Sequence, residues 1–238
     1  HLAFATQNVH ETASLFLSDG KHSIGINGRE QVQIPEKLTQ GVSSRLTSVA
    51  NLRGSRTKFV ERMDHIGIAS NSNILAESIF AEKLGLTVES RQTDVEVKVA
   101  MESFTSDKYG VIYKTRPPET MGGLRVSFIT IGDTELEFLE NFNNQHSAEI
   151  AHGTPGNTKQ DQGAITKYVD KYGPGLHHLA FKTPDINQTL MHLEKHDFKL
   201  IDSVGREGSR RSLIGFIHPS STGGVLIHFV EREEITNA

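Results

Sequence analysis

The 238-residue sequence has no cysteine and no tryptophan, only seven prolines, and 7% aromatic residues. Without cysteine there is no disulfide framework and no thiolate metal site, so any metal must be held by His, Asp or Glu. With no tryptophan and so few other aromatics, capture of a flat ligand by stacking is unattractive. Positive charge is not in excess. The formal net charge is −4, which gives no field to draw in nucleic acid or an anionic membrane. Apolar runs are short, and none approaches the roughly 20 residues that span a bilayer. No secretory leader pattern opens the chain. These absences point to a cytoplasmic protein that acts on a small molecule, with no nucleic-acid or membrane partner. They also allow a homodimer.

What is present is a packable 36% of hydrophobic residues, 23% charged residues and 12 histidines. The first pattern to stand out is repetition. FVER occurs at 59–62 and again at 229–232, and HLAF occurs at 1–4 and again at 178–181. HLAFATQNVHETASLFL and HLAFKTPDINQTLMHLEKH each read as a short strand, a polar turn and an amphipathic helix. A third relative runs from DHIGIASNSNILAESIFAEKLGL to LEFLEN, where FLEN is a loose match to FVER.

The sequence therefore predicts an α+β fold of repeated βαβββ units. They pair into a cup-shaped, mixed or antiparallel sheet with helices outside. The units span 1–62, 64–141 and 176–232, with a polar linker at 142–163 and a helix over 163–172. A single unit is too small to cover both faces of its sheet. Units two and three pair as a domain over 63–238, leaving 1–62 unpaired. The opening HLAF reads as the middle of an element, so a preceding unit is expected upstream, with 1–62 the remnant of an N-terminal domain that binds no metal.

Side chains alternate along strands. His65, Gly67 and Ala69 share one face, as do His178 and Ala180, so each first strand offers one histidine beside tiny residues. That composition suits a cavity wall. The residue before the closing Phe is Lys58, Glu137 and His228 in the three units. Pairing units two and three by a pseudo-two-fold brings His65, Glu137, His178 and His228 together. Three imidazoles and one carboxylate suit one divalent metal: Fe, Mn, Co, Ni or Zn. A lone histidine on a strand is usually a satisfied core or surface residue, and it is the repeated placement that outweighs this. In unit one the lysine repels a cation, so no metal is expected there. Glu135 shares a face with Glu137 and is a candidate base. Arg206, Arg210 and Arg211 read as a solvated turn, with lining of the cup mouth to meet an anionic substrate as the alternative. No Gly-rich nucleotide loop occurs.

GLRVSFITIGDTELEFLE (123–140), GPGLHHLAFKTPDI (173–186) and IGFIHPSSTGGVLIHF (214–229) resemble methylmalonyl-CoA epimerases of the vicinal oxygen chelate superfamily. The resemblance covers about 64–232. It implies metal ligands at His65, Glu137 and His178. It also implies a glutamate, active in proton transfer, where this chain has His228. The second carboxylate of those enzymes falls near Val126, in an apolar stretch. TKFVER followed by a DH strand, with GAITKYVDKYGPGLHHLAFKTPDI, is similar to 4-hydroxyphenylpyruvate dioxygenases, whose N-terminal pair of units binds no metal. The leading expectation is a metal-dependent isomerase or lyase, with Glu137 and Glu135 as catalytic carboxylates, stabilising an enolate of a 2-oxo acid or acyl-CoA. The alternatives are an Fe(II) dioxygenase and a protein that sequesters its ligand.

Overall fold

Three times the chain runs strand, helix and three sheet strands, with an extra hairpin in the second unit. A computed structural model describes residues 1–16, 21–25, 28–50, 57–117, 119–142 and 163–233. The first unit holds β1 (Leu2–Thr6), α1 (Val9–Ser14), β2 (Lys21–Ile24), β3 (Glu30–Ile34) and β4 (Ser44–Ser48). The second holds β5 (Arg62–Ala69), α2 (Asn73–Glu77) with a π-helical extension (Ser78–Lys83), β6 (Thr87–Lys98), β7 (Met101–Ser106), β8 (Gly110–Thr115), β9 (Glu119–Ile131) and β10 (Thr134–Phe142). After α3 (Ala164–Tyr172) come β11 (Gly175–Lys182), α4 (Ile186–Glu194), β12 (Arg206–Glu207), β13 (Leu213–Ile217) and β14 (Leu226–Glu231). The expected linker lies almost wholly outside the described residues.

Each unit lays its strands in the same order. β1-β4-β3-β2 forms one sheet, while β6-β9-β10-β5 and β11-β14-β13-β12 join into a second of eight strands. First and last strands pair in parallel in all three units. The join is an antiparallel pairing of β5 with β11. A hairpin, β7–β8, is inserted between the second and third sheet strands of unit two. TRPPETMGG, which reads as a loop, is ordered further than that: Glu119 already pairs with Lys98 as β9 runs along β6.

The shared FVER and FLEN letters have a local cause. Glu231 Oε2 accepts the Ile186 N–H at the start of α4, 2.7 Å away, and Glu140 Oε2 accepts the Asn73 N–H at the start of α2, 2.8 Å away. In units two and three the closing strand thus carries a carboxylate that caps its own unit's helix, where N–H groups lack intrahelical partners and a negative charge is favoured. Ser72 and Asp185 add side-chain caps to the same helices.

Unit one departs from the register set by FVER. Its sheet closes on β4, not on 57–61, and that second stretch leads instead into β5. The residue equivalent to Glu137 and His228 is therefore Arg45. Ala3 faces Arg45 in the β1–β4 pairing, as Gly67 faces Glu137 and Ala180 faces His228. Lys58 is not the equivalent, but a cation still stands where a ligand would be.

Nor is unit one left without cover. Phe4, Val9, Val32, Ile34 and Leu46 share one apolar cluster with Ile68, Phe80, Leu136 and Phe138 of unit two. Burying a side chain of that size stabilises by roughly 1.5–3 kcal/mol. The outer face of β5, β10 and β9 is thus sealed by α2 and the first unit, while Phe181, Ile186, Leu190 and Phe229 seal the outer face of unit three. The inner face of the eight-stranded sheet is left for the cavity.

Candidate functional site

His65 on β5, Glu137 on β10, His178 on β11 and His228 on β14 converge on the inner face. Each is at most 6% exposed. The Nε2 of His65 stands 3.3 Å from that of His178 and 3.1 Å from that of His228. Glu137 Oε2 is 3.3 Å from His65 Nε2 and 3.1 Å from His178 Nε2. Donors bound at about 2.0–2.2 Å around one centre stand roughly 3–3.5 Å apart. The three imidazoles lie within 4.8 Å of one another and so suit a single divalent cation, with the Glu137 oxygen beside two of them.

The close approach depends on what is missing at Gly67. A Cβ there would lie 2.1 Å from Cε1 and 2.3 Å from Nδ1 of His178, so the imidazole occupies the space a side chain would take. Asp64 is fully buried, and its Oδ1 is 2.7 Å from His65 Nδ1. Such a carboxylate fixes the tautomer that leaves Nε2 free to face the centre. Arg232 in turn donates to Asp64 Oδ1 at 2.7 Å, and Arg210 lies 3.5 Å from it.

The electrostatics are those of a crowded donor cluster. Burial pushes the His65 pKa down, but the Glu137 charge and the bonds to Asp64 and Glu137 overcome this and hold it up at about 9. Burial would raise the Glu137 carboxyl. The His65 charge and the two imidazole bonds outweigh it and keep that group well below the usual carboxylate range. His178 is pushed down chiefly by burial. His228 is pushed well down, by burial first and by the neighbouring imidazoles next. The cluster thus holds one displaceable proton, one carboxylate and two neutral rings.

A cavity of about 310 Å³ opens over these donors. Its walls are mainly apolar, from Leu124, Phe128 and Leu139 of unit two to Ile214, Phe216 and Val230 of unit three. The first residues of α3, Ala164 and Ile165, form a further wall. Asn141 Oδ1 pins that helix by accepting from the N–H and Oγ1 of Thr166, at 2.8 and 3.0 Å. Tyr168 donates to the Leu176 carbonyl. Val126 is buried in an apolar cluster with Leu124, Phe128 and Leu139, so its row carries no carboxylate.

The four expected ligands come together; Glu135 does not join them. It shares the strand face of Glu137, but its carboxylate bonds Arg210 and lines an adjoining cleft with Arg62, Thr130 and Arg232. Alternation also misplaces His177. The β5–β11 register shifts between Leu176 and His178, and this bulge lets two successive histidines reach the cavity. His177 Nδ1 lies 3.0 Å from His178 Nδ1, and burial pushes its pKa down to about 4. Asp64 and Arg232 carry no assignment from the sequence, whereas Arg206 lines the cavity, in line with the cup-mouth alternative. A charged residue inside a buried strand, as in the Asp64–His65 pair, is the signal that would have found the first. Arg210, expected in a turn, lies at the cavity rim in a left-handed backbone conformation, φ +56°, with its guanidinium 3.7 Å from the Phe128 ring centroid.

Paired βαβββ units closing a cup over such a donor cluster define the vicinal oxygen chelate fold. The model of the glyoxalase/bleomycin resistance protein/dioxygenase superfamily matches residues 64–216, and the chain belongs to that superfamily. It is 28% identical over 172 residues to the uncharacterized protein YqjC of Bacillus subtilis (strain 168), covering 72% of this chain and 93% of that one. Mitochondrial methylmalonyl-CoA epimerase of Bos taurus is 27% identical over 105 residues, 44% of this chain. The match spans 51% of that enzyme's length. Among solved structures, methylmalonyl-CoA epimerase from Mycobacterium tuberculosis has the same fold. It superposes with a TM-score of 0.51 at 22% identity, covering 77% of this chain and 95% of that one.

Proposed function

We propose that His65, Glu137, His178 and His228 hold one divalent metal, and that the protein is an isomerase or lyase removing a proton next to a carbonyl group. The observation that supports this reading is that His65 Nε2 lies 3.1–3.3 Å from the Nε2 atoms of His178 and His228 and from Glu137 Oε2, on the floor of the cavity. A divalent metal held there would supply Lewis-acid stabilisation of negative charge on a substrate oxygen. The chain's own residues supply the rest. The apolar walls exclude water and strengthen every charge inside. Asp64 holds His65 in orientation. Glu137 carries the one carboxylate among the described residues lining the cavity, and in this reading it accepts the substrate α-proton. Glu135 acts at one remove, holding Arg210 at the rim. The substrate is a 2-oxo acid or acyl thioester whose reacting end fits about 310 Å³.

The test is metal analysis of the purified protein, followed by deuterium exchange at the α-carbon of 2-oxo acids and acyl thioesters with Fe, Mn, Co, Ni or Zn supplied. Exchange that stops on His178→Ala is the expected result. Absence of exchange with every metal would sink the reading. Fe(II)-dependent O2 uptake in the same assays would replace it with a dioxygenase.

A further inference from the structure

Three guanidinium groups line the cavity, those of Arg206, Arg210 and Arg232. Two are occupied by protein carboxylates. Arg210 pairs with Glu135, Glu89 and Asp64. Arg232 pairs with Asp64 and lies 3.9 Å from Glu135. Arg206 differs. Its side chain is 9% exposed, and its carboxylate partner, Asp202, meets it through Nε alone, at 3.1 Å from Oδ1. The other Asp202 oxygen is taken by the Phe216 N–H at 3.0 Å. Arg206 Nη1 is buried with no hydrogen-bond partner among the described residues. A guanidinium donor left unmatched in a buried site is costly unless a ligand supplies the acceptor.

The sheet aims this group. Arg206 pairs with Ile214 and Ile214 with Val230, one row along the inner face from the Phe216–His228 pair. The guanidinium carbon lies over the Phe216 ring, 5.3 Å from its centroid, and that ring is 4.5 Å from the His228 ring. The Phe216 ring and the Asp202 bond hold the fork on one side and leave Nη1 without a protein acceptor among the described residues. A planar fork of that kind matches a carboxylate.

We propose that Arg206 is the carboxylate-binding residue of the cavity, which takes a small carboxylic acid with a compact apolar body. The inference rests on the reading of this cavity as the reaction site. It would hold for a binding protein as well as for an enzyme, so its test needs no turnover. Isothermal titration of metal-free protein, prepared with a chelator, would compare 3-methylbutanoate with 3-methylbutanamide, a pair of nearly equal shape. The expected result is a preference for the acid of about tenfold or more. Arg206→Gln abolishes that preference, leaves amide affinity within about twofold, and leaves metal uptake by the reloaded protein unchanged. A preference retained in Arg206→Gln overturns the proposal. If that variant does not fold, wild-type protein decides: equal affinity for acid and amide, or binding of neither, overturns it. Failure of the metal reading would instead appear in the metal analysis, with the acid preference intact.

Discussion

Units one and three start with the same four letters, share one strand order and pair first and last strands in parallel, yet only unit three contributes to a site. The difference lies at two positions. Where unit three has buried His178 and His228, unit one has an exposed His1 and a half-buried Arg45. Its sheet is also turned to a different task, packing against the outer face of unit two. The lesson is that the βαβββ frame is indifferent to chemistry. Among the described residues the buried donor cluster lies where two inner faces meet and neither presents a cation, while the His10, His22 and Glu30 group of unit one is at the surface.

Several measurements would break or sharpen that contrast. The largest effect is expected from His178→Ala, which removes a donor from the paired units and should weaken metal binding by more than about 100-fold, read as metal per chain after dialysis. Asp64→Asn keeps the shape but frees the His65 ring and leaves Arg232 short of its counter-charge. A loss of about 10–100-fold in metal affinity is expected by competition with a chromophoric chelator. Gly67→Ala places a Cβ inside the His178 ring space. Its expected cost is about 1–3 kcal/mol in chemical denaturation, together with weaker metal binding. The equivalent positions Ala3 and Ala180 already carry a Cβ, so the contrast is specific to unit two.

A smaller effect concerns protons. Because His65 in the metal-free cluster is held up at about 9, metal binding at pH 7.5 must displace its proton. Titration calorimetry in buffers of different ionisation enthalpy should show about one proton released per metal. The sign follows: apparent affinity falls as pH falls, by about tenfold per unit for that proton. The smallest effect is expected from Arg45→His. It gives unit one a histidine at both of the equivalent strand positions but no facing unit, so metal per chain should not change. An added equivalent would show that a single unit suffices.

Much of this was legible because repeats fix registers. Alternation along DHIGIA and HHLAF put Ile66, Ile68 and Phe181 against the outer cores and His65 and His178 inside. The letters ahead of each closing Phe singled out Glu137 and His228. What failed did so where local backbone overrode period two. A bulge turned His177 inward, and a matching tetrapeptide at 59–62 proved to lead into β5 rather than to close β4. The fate of Glu135 depends on Arg210 reaching it across units, and no spacing within one strand encodes that.

The seam between β5 and β11 has one more consequence. Two donors, His65 and Glu137, belong to one side of it, and two, His178 and His228, to the other. A cation shared among them would act as a rivet through the joint, so the strength of the whole cup and the occupancy of its centre become a single quantity. Heat would then release the ion and part the halves in one step, and the melting temperature would climb with free metal concentration.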